Sequence, residues 1–252
     1  MTAPNSPIVN RGVPYSVGLS TISIDAVSKI LVGNGFARDT TDINDIVLPN
    51  ATTLDLALNG PNGLDFGSIA NDGKYYIYVI GDSTKYLQSA TIASLNSTAP
   101  NLPFGYDMYA RIGFVLFDSG GAMRTFVTGG DGLTKEYSFD EPLIVVNGGT
   151  SGSFADFDYS VWVPFFADTV TFQISMSTAT AQNEVYIRRK GSLYINGTSR
   201  FYAPMLTSPS WFETYLVDNE DSPFNGMAQY KIDGSDPVSI YVRGFNYNMG
   251  KS

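Results

Sequence analysis

The residues best suited to chemistry in this chain are carboxylates and aromatics. Asp156 and Asp158 stand two apart in FADFDYS, Glu213 follows in WFETYL, and Asp218, Glu220 and Asp221 crowd VDNEDS. Two opposed carboxylates suffice for glycoside hydrolysis, one as general acid and one as base or nucleophile, and this is the one common hydrolytic route open without His or Cys. Several converging oxygens would instead hold a hard cation, but neither acidic stretch has the spacing of a calcium loop, and solvated loops are the simpler account of both. The Arg38-Asp39 pair in GFARDTTD is either a ligand clamp or a structural corner. As a corner, Arg38 bridges carbonyls or Asp39, while Asp39, Thr40, Thr41 and Asp42 satisfy turn amides; with no metal or nucleophile cluster beside it, this is the stronger reading. Finally, Tyr75, Tyr76 and Tyr78 in KYYIYVIG, with Trp162 and Trp211, offer rings for a subunit contact or for stacking against sugar.

Two zeros limit what these groups can do. The 252 residues include no Cys and no His, which removes Ser-His-Asp and Cys-His catalysis, His-based zinc sites, thiolate nucleophiles and disulfides. Acid–base work would fall to groups needing strongly shifted pKa values, and no constellation marks such a site, so the chain reads as a non-enzyme without metal or cofactor. With 15 Lys and Arg against 24 acids, the net charge of -9 argues against nucleic acid as a partner. The N-terminal MTAPNSPIVNRGVPYS has no basic region leading into an apolar one, and no apolar run is long enough to span a bilayer. The expectation is a protein used without secretion through a signal peptide and without membrane insertion.

The elements that must position these residues read as strands. A chain 43% hydrophobic with 25 Gly and 13 Pro supports a sizeable core broken by frequent turns. Strand signals recur in TISIDAVSKILV, DINDIVL, TTLDLAL, KYYIYVIG and RIGFVLF, and only Ile24 to Leu31 could pass for a helical turn or two. KYYIYVIG is apolar on both faces, which fits a central strand or one packed against another subunit. Asp118 to Gly121 reads as the turn of a hairpin between Ile112–Phe117 and Ala122–Thr128. TVTFQISMST alternates as a half-buried strand, EVYIRRKGSLYING as a hairpin turning at Lys190-Gly191, and DPVSIYVRGFNY as a late strand. Pro4, Pro7 and Pro14 make residues 1–19 an extended arm, and the Gly-rich 146–153 is the expected linker. The expected fold is therefore all-β: two antiparallel β-sandwich or jelly-roll-like domains, 20–147 and 153–252, behind an N-terminal arm.

Three blocks in order carry a resemblance. They are Ala37, Arg38 and Asp39; then Gly63, Leu64, Asp65 and Gly67 leading into Tyr75, Tyr76 and Tyr78; then Pro100, Pro103, Gly105 and Tyr106 ahead of Arg111, Ile112 and Gly113. Over about residues 25–130 the chain resembles a recurrent module of tailed-bacteriophage virion proteins, found in tail-fibre, tail-tip and head-decoration proteins. The resemblance implies a non-catalytic, β-rich structural role on the particle, assembled in the host cytoplasm. It also implies a homo-oligomer, commonly a trimer, in contact with other virion proteins. The competing class is a carbohydrate- or receptor-binding adhesin, with a host surface glycan as partner and Tyr, Trp162 or Trp211 as platforms.

Overall fold

The structure is a computed structural model and describes residues 16–130, 134–176, 183–191, 199–203, 210–216, 226–234 and 236–248. The fold is all-β, and no helix occurs among the described residues. The chain divides into two compact units, Met1–Asp140 with Asn248–Ser252, and Glu141–Tyr247.

The first unit holds β1 (Ser16–Gly18), β2 (Thr21–Ser23), β3 (Lys29–Val32), β4 (Gly35–Arg38), β5 (Asp45–Leu48) and β6 (Thr52–Asp55). It continues with β7 (Gly63–Leu64), β8 (Lys74–Asp82), β9 (Lys85–Ser94), β10 (Met108–Leu116), β11 (Phe126–Gly129) and the start of β12 (Thr134–Gly149). One antiparallel sheet runs β1-β4-β5, a second β10-β8-β9-β7 with a short parallel β7–β9 pair, and a third carries β12, β11, β2, β3 and β6 side by side. β2 and β3 form a hairpin because Asp25 Oδ1 accepts the amides of Val27, Ser28 and Lys29 at 2.8–3.0 Å, closing the turn where the sequence left room for a helix. β8 is the centre of the core. Gly113 of β10 lies beside Ile77 and Thr21, Gly81 sits under Ile46, and Tyr78 lies under the crossover between β9 and β10.

The second unit holds β13 (Ala155–Asp158), β14 (Ala167–Met176), β15 (Asn183–Arg189), β16 (Ser199–Ala203), β17 (Ser210–Leu216), β18 (Met227–Asp233) and β19 (Val238–Asn248). β17, β14, β19 and the later part of β12 lie side by side in one sheet, and β13-β18-β15-β16 form another. Rings join them: Phe172 of β14 meets Phe157 of β13 edge-on at 5.5 Å and Tyr159 at 5.4 Å. Val170, Phe172, Ile174 and Met176 are all buried while the residues between them are half-exposed, as the alternation of TVTFQISM predicts.

Three expectations about organisation need correction. The units divide between Asp140 and Glu141, inside β12, and the Gly-rich stretch expected as a linker is partly strand. Leu143 and Val146 are buried and hold it in place, and a side chain at Gly149 would collide with Tyr230. The expected hairpin at Asp118 to Gly121 is present but short: Phe117 and Met123 form an antiparallel bridge and Arg124 N donates to Leu116 O, and the pairing goes no further. Asp118 Oδ1 accepts the amides of Gly120 and Ala122, but β10 then pairs with β8 while β11 pairs with β12 and β2, because Phe126 stacks on Tyr137 at 4.7 Å. The arm expected over 1–19 ends earlier: Ser16 to Gly18 pair with β4 and Leu19 is fully buried, whereas residues 1–15 lie outside the described residues.

Candidate functional site

The residues that carry the resemblance meet in the first unit and form its scaffold. At the β4–β5 corner Arg38 Nε lies 2.8 Å from Asp45 Oδ1, an ion pair with both side chains largely out of water. Burial pushes the Asp45 carboxyl up from its ordinary pKa, with Arg38 acting against it, and neither carboxylate oxygen has a well-directed hydrogen bond. Asp39 Oδ1 accepts the amides of Ile43 and Asn44, its Oδ2 accepts the Thr41 hydroxyl, and Asp42 takes a left-handed backbone with φ 58°. Thr40 N donates to Tyr109 O, which ties this corner to β10. Asp65 Oδ2 accepts Ser94 Oγ at 2.7 Å and both the amide and side chain of Asn101 at 3.0 Å, pinning the crossover between β9 and β10. Arg111 reaches the same crossover at Ser97 O, 2.9 Å away.

Tyr75, Tyr76 and Tyr78, expected on an oligomer or ligand surface, are buried inside this unit, so that expectation is corrected. Tyr75 OH donates to Ser68 O and accepts Ala70 N, while Tyr78 OH donates to Asn96 O at 2.8 Å; burial raises the Tyr76 and Tyr78 phenol pKa values. Satisfied phenols let tyrosine serve as core, and the two-sided apolar pattern of β8 belongs to a central strand.

The carboxylates are spread through the second unit. Asp156 is clasped by Lys190 Nζ at 2.6 Å and by Gln229 Nε2 at 2.7 Å, and these contacts hold it below the ordinary carboxylate range. A general acid needs the opposite shift. Asp158 caps Ser160 N on an exposed stretch, and Glu213 lies opposite Phe172 in the other sheet. Asp218, Glu220 and Asp221 lie outside the described residues. Among the described residues, no group of three or more His, Cys, Asp or Glu is placed to hold a metal ion. Trp162 is half-buried with its indole N–H 3.3 Å from Ile144 O, and Trp211 stands opposite Ile174 in β17.

One outward apolar face is not apparent from the sequence. In the first unit Val127, Ile22 and Leu31 are directly opposite one another on β11, β2 and β3, and all three face solvent. Ile24 and Val27 extend the patch around the hairpin, and the five residues are 39–65% exposed. On the other side of the same strands the polar residues are inside. Thr21 is fully buried, with Thr128 Oγ1 accepting its amide at 2.6 Å and its hydroxyl 3.1 Å away, and Ser23 Oγ accepts Phe126 N at 2.9 Å. β2 thus buries its hydroxyls and shows its isoleucines. The alternation of TISI was the available signal, but only the pairing partner 107 residues away reveals its sense.

No protein-family model matches the sequence, and no curated protein matches it. Among solved structures, a chain from the crystal structure of the T13 IBDV viral particle is similar across 97% of this chain and 71% of its own length, at 12% identity and a TM-score of 0.24. A superposition that low defines neither a shared fold nor a shared function.

Proposed function

We propose that the protein is a non-catalytic structural component of a bacteriophage virion, of head-decoration or short fibre type, that works by associating with copies of itself and with other virion proteins. The observation that carries self-association is the outward apolar face of β11, β2 and β3, a patch that a solitary subunit does not need and that buried contact would stabilise. The virion assignment rests on the sequence resemblance; of its residues, Asp65, Tyr78 and Arg111 all bond to the crossover between β9 and β10, and Arg38 pairs with Asp45 at the β4–β5 corner. Sedimentation equilibrium across micromolar concentrations tests the first half: a monomer throughout would sink it. Antibodies against the folded chain test the second, since they should label intact particles at a fixed copy number.

A second reading, a glycan-binding adhesin, draws on the second unit. Asp156, Gln229 and Arg188 lie in one cross-strand row of β13, β18 and β15, joined Gln229 to Asp156 and Arg188 to Gln229, with Arg188 stacked 3.6 Å over the Phe154 ring. Planar side chains held in a fixed row are suited to paired sugar hydroxyls. Binding on a glycan array that is lost in Gln229→Ala would support it.

A further inference from the structure

The sequence holds six Asn-Gly pairs, at 34–35, 59–60, 62–63, 147–148, 196–197 and 225–226. Such a pair is labile, because glycine has no side chain to keep its backbone nitrogen away from the Cγ of the preceding asparagine. The nitrogen gives up its proton to hydroxide and bonds to Cγ. The Cγ–Nδ2 bond breaks, and ammonia leaves with a proton returned by water, so that a succinimide ring closes. Water then opens the ring at either carbonyl. One opening gives an ordinary aspartate, the other an isoaspartate whose main chain runs through Cγ, and in both an amide has become a carboxylate.

Closing the ring requires the asparagine backbone to rotate and the glycine amide to leave its hydrogen bond, so the fold decides which pair reacts. Asn62 is held on both counts: its Oδ1 accepts Thr91 N at 3.0 Å and Thr91 Oγ1 at 3.1 Å, while Gly63 N donates to Gly60 O at 2.9 Å. Gly60 N donates to Leu64 O at 2.7 Å, and Asn59 is bridged to Leu64. Asn34 is exposed, but its carbonyl accepts Leu19 N at 3.1 Å and stands so close to Gly18 that a Cβ there would lie 2.3 Å away. Gly35 in turn is flanked by Gly18 of β1 and Leu48 of β5.

Asn147 differs from these three. It and Gly148 are both exposed near the end of β12, and among the described residues the Asn147 side chain has no hydrogen-bond partner. Gly148 has φ 64°, nothing stands within 4 Å of where its Cβ would be, and its amide donates to a side chain, Ser239 Oγ, at a long 3.3 Å. A rotatable hydroxyl holds that amide, and the peptide can turn without displacing a packed neighbour.

We propose that Asn147 is a site of spontaneous deamidation, reacting ahead of Asn34, Asn59 and Asn62, through which the exposed end of β12 gains a carboxylate as the chain ages. In the isoaspartate product the main chain lengthens by the residue's own β-carbon just before Gly148 and Gly149. A Cβ at Gly149 would already lie 2.4 Å from the Tyr230 hydroxyl, so that product also disturbs the packing of β12 on β18.

The whole chain, kept folded in mildly alkaline buffer and sampled over weeks, tests this by peptide mapping with mass spectrometry. Asn147 should convert from amide to acid about tenfold or more faster than Asn34, Asn59 and Asn62, which react only through local opening. Part of the product should be isoaspartate, detected by methyl transfer from protein isoaspartyl methyltransferase. Raising the pH should speed the conversion, because the glycine nitrogen must lose its proton. In denaturant the four rates should converge, since the pairs share one chemistry and only the fold separates them. Conversion of Asn147 no faster than that of the other three in the folded chain, an advantage that persists in denaturant, or an acid product without isoaspartate would overturn the proposal.

Discussion

Strands β8 and β2 of the first unit both carry large apolar side chains, and they dispose of them in opposite ways. β8 is closed on both faces: Tyr75, Ile77, Val79, Tyr76, Tyr78 and Ile80 are all buried, and the Tyr75 and Tyr78 hydroxyls end on backbone groups inside the fold. β2 buries Thr21, pairs it with Thr128, and turns Ile22 outward. Leaving Ile22 and Ile24 about half exposed forgoes about 1 kcal/mol apiece that burial would supply. The lesson is that the apolar content of β8 is consumed by the fold, whereas that of β2 is left exposed.

The largest effect expected from this contrast separates stability from association. Tyr78→Ala should lower unfolding free energy by about 3–5 kcal/mol, since it removes a buried ring and leaves Asn96 O without its hydroxyl donor. Ile22→Ala should change the stability of the dilute subunit by no more than about 0.5 kcal/mol, as surface substitutions do, while weakening association. Denaturant titrations at low and high protein concentration check both together. Equal effects of the two substitutions in dilute solution would break the comparison.

A smaller effect belongs to the β4–β5 corner, and it should depend on pH. Arg38→Met removes the cation beside the buried Asp45 carboxylate, at a cost of about 3 kcal/mol near neutrality. Asp45 already sits above its ordinary pKa through burial, and losing Arg38 raises it further. A carboxyl whose folded pKa exceeds its unfolded value takes up a proton on folding, so its contribution is fully present below the unfolded value and is lost as pH rises through the folded one. The penalty of Arg38→Met should therefore shrink on acidification toward pH 4. Melting curves of the variant and wild type over pH 4–8 check this, and a penalty that grows toward acid would refute it.

How much of this was legible depends on where each residue finds its partner. TVTFQISM declares itself because the two faces of β14 differ in the ordinary sense, apolar within and Thr, Gln and Ser toward water. The all-β class likewise follows from short strand signals between turn residues. The sense of TISI was hidden because Thr21 is satisfied by Thr128, far along the chain, and nothing local distinguishes a buried threonine from an exposed one. The tyrosines of β8 misled for a related reason. Their hydroxyls suit an interface equally well until Ser68 and Asn96 are seen to accept them. Asp65 was visible only as part of a motif, its partners Ser94 and Asn101 lying 29 and 36 residues away.

The smallest predicted effect asks what fixes the inversion of β2, and the two threonines of the buried pair should answer unequally. Thr128 Oγ1 accepts Thr21 N at 2.6 Å and lies 3.1 Å from Thr21 O, so it bonds to the backbone of β2 as well as to its side chain. Thr128→Val deprives a buried amide of its acceptor and should cost about 1–2 kcal/mol. In Thr21→Val those backbone bonds survive and only the contact between hydroxyls is lost, so the change should stay within about 0.5 kcal/mol. If the ranking holds, β2 is oriented by a hydrogen-bond anchor on β11 that acts on its backbone whatever its side chains are, which is how its isoleucines can face outward without the strand turning over. The reverse ranking would mean that the buried Thr21 side chain itself holds the strand, and that the exposed face is incidental to it.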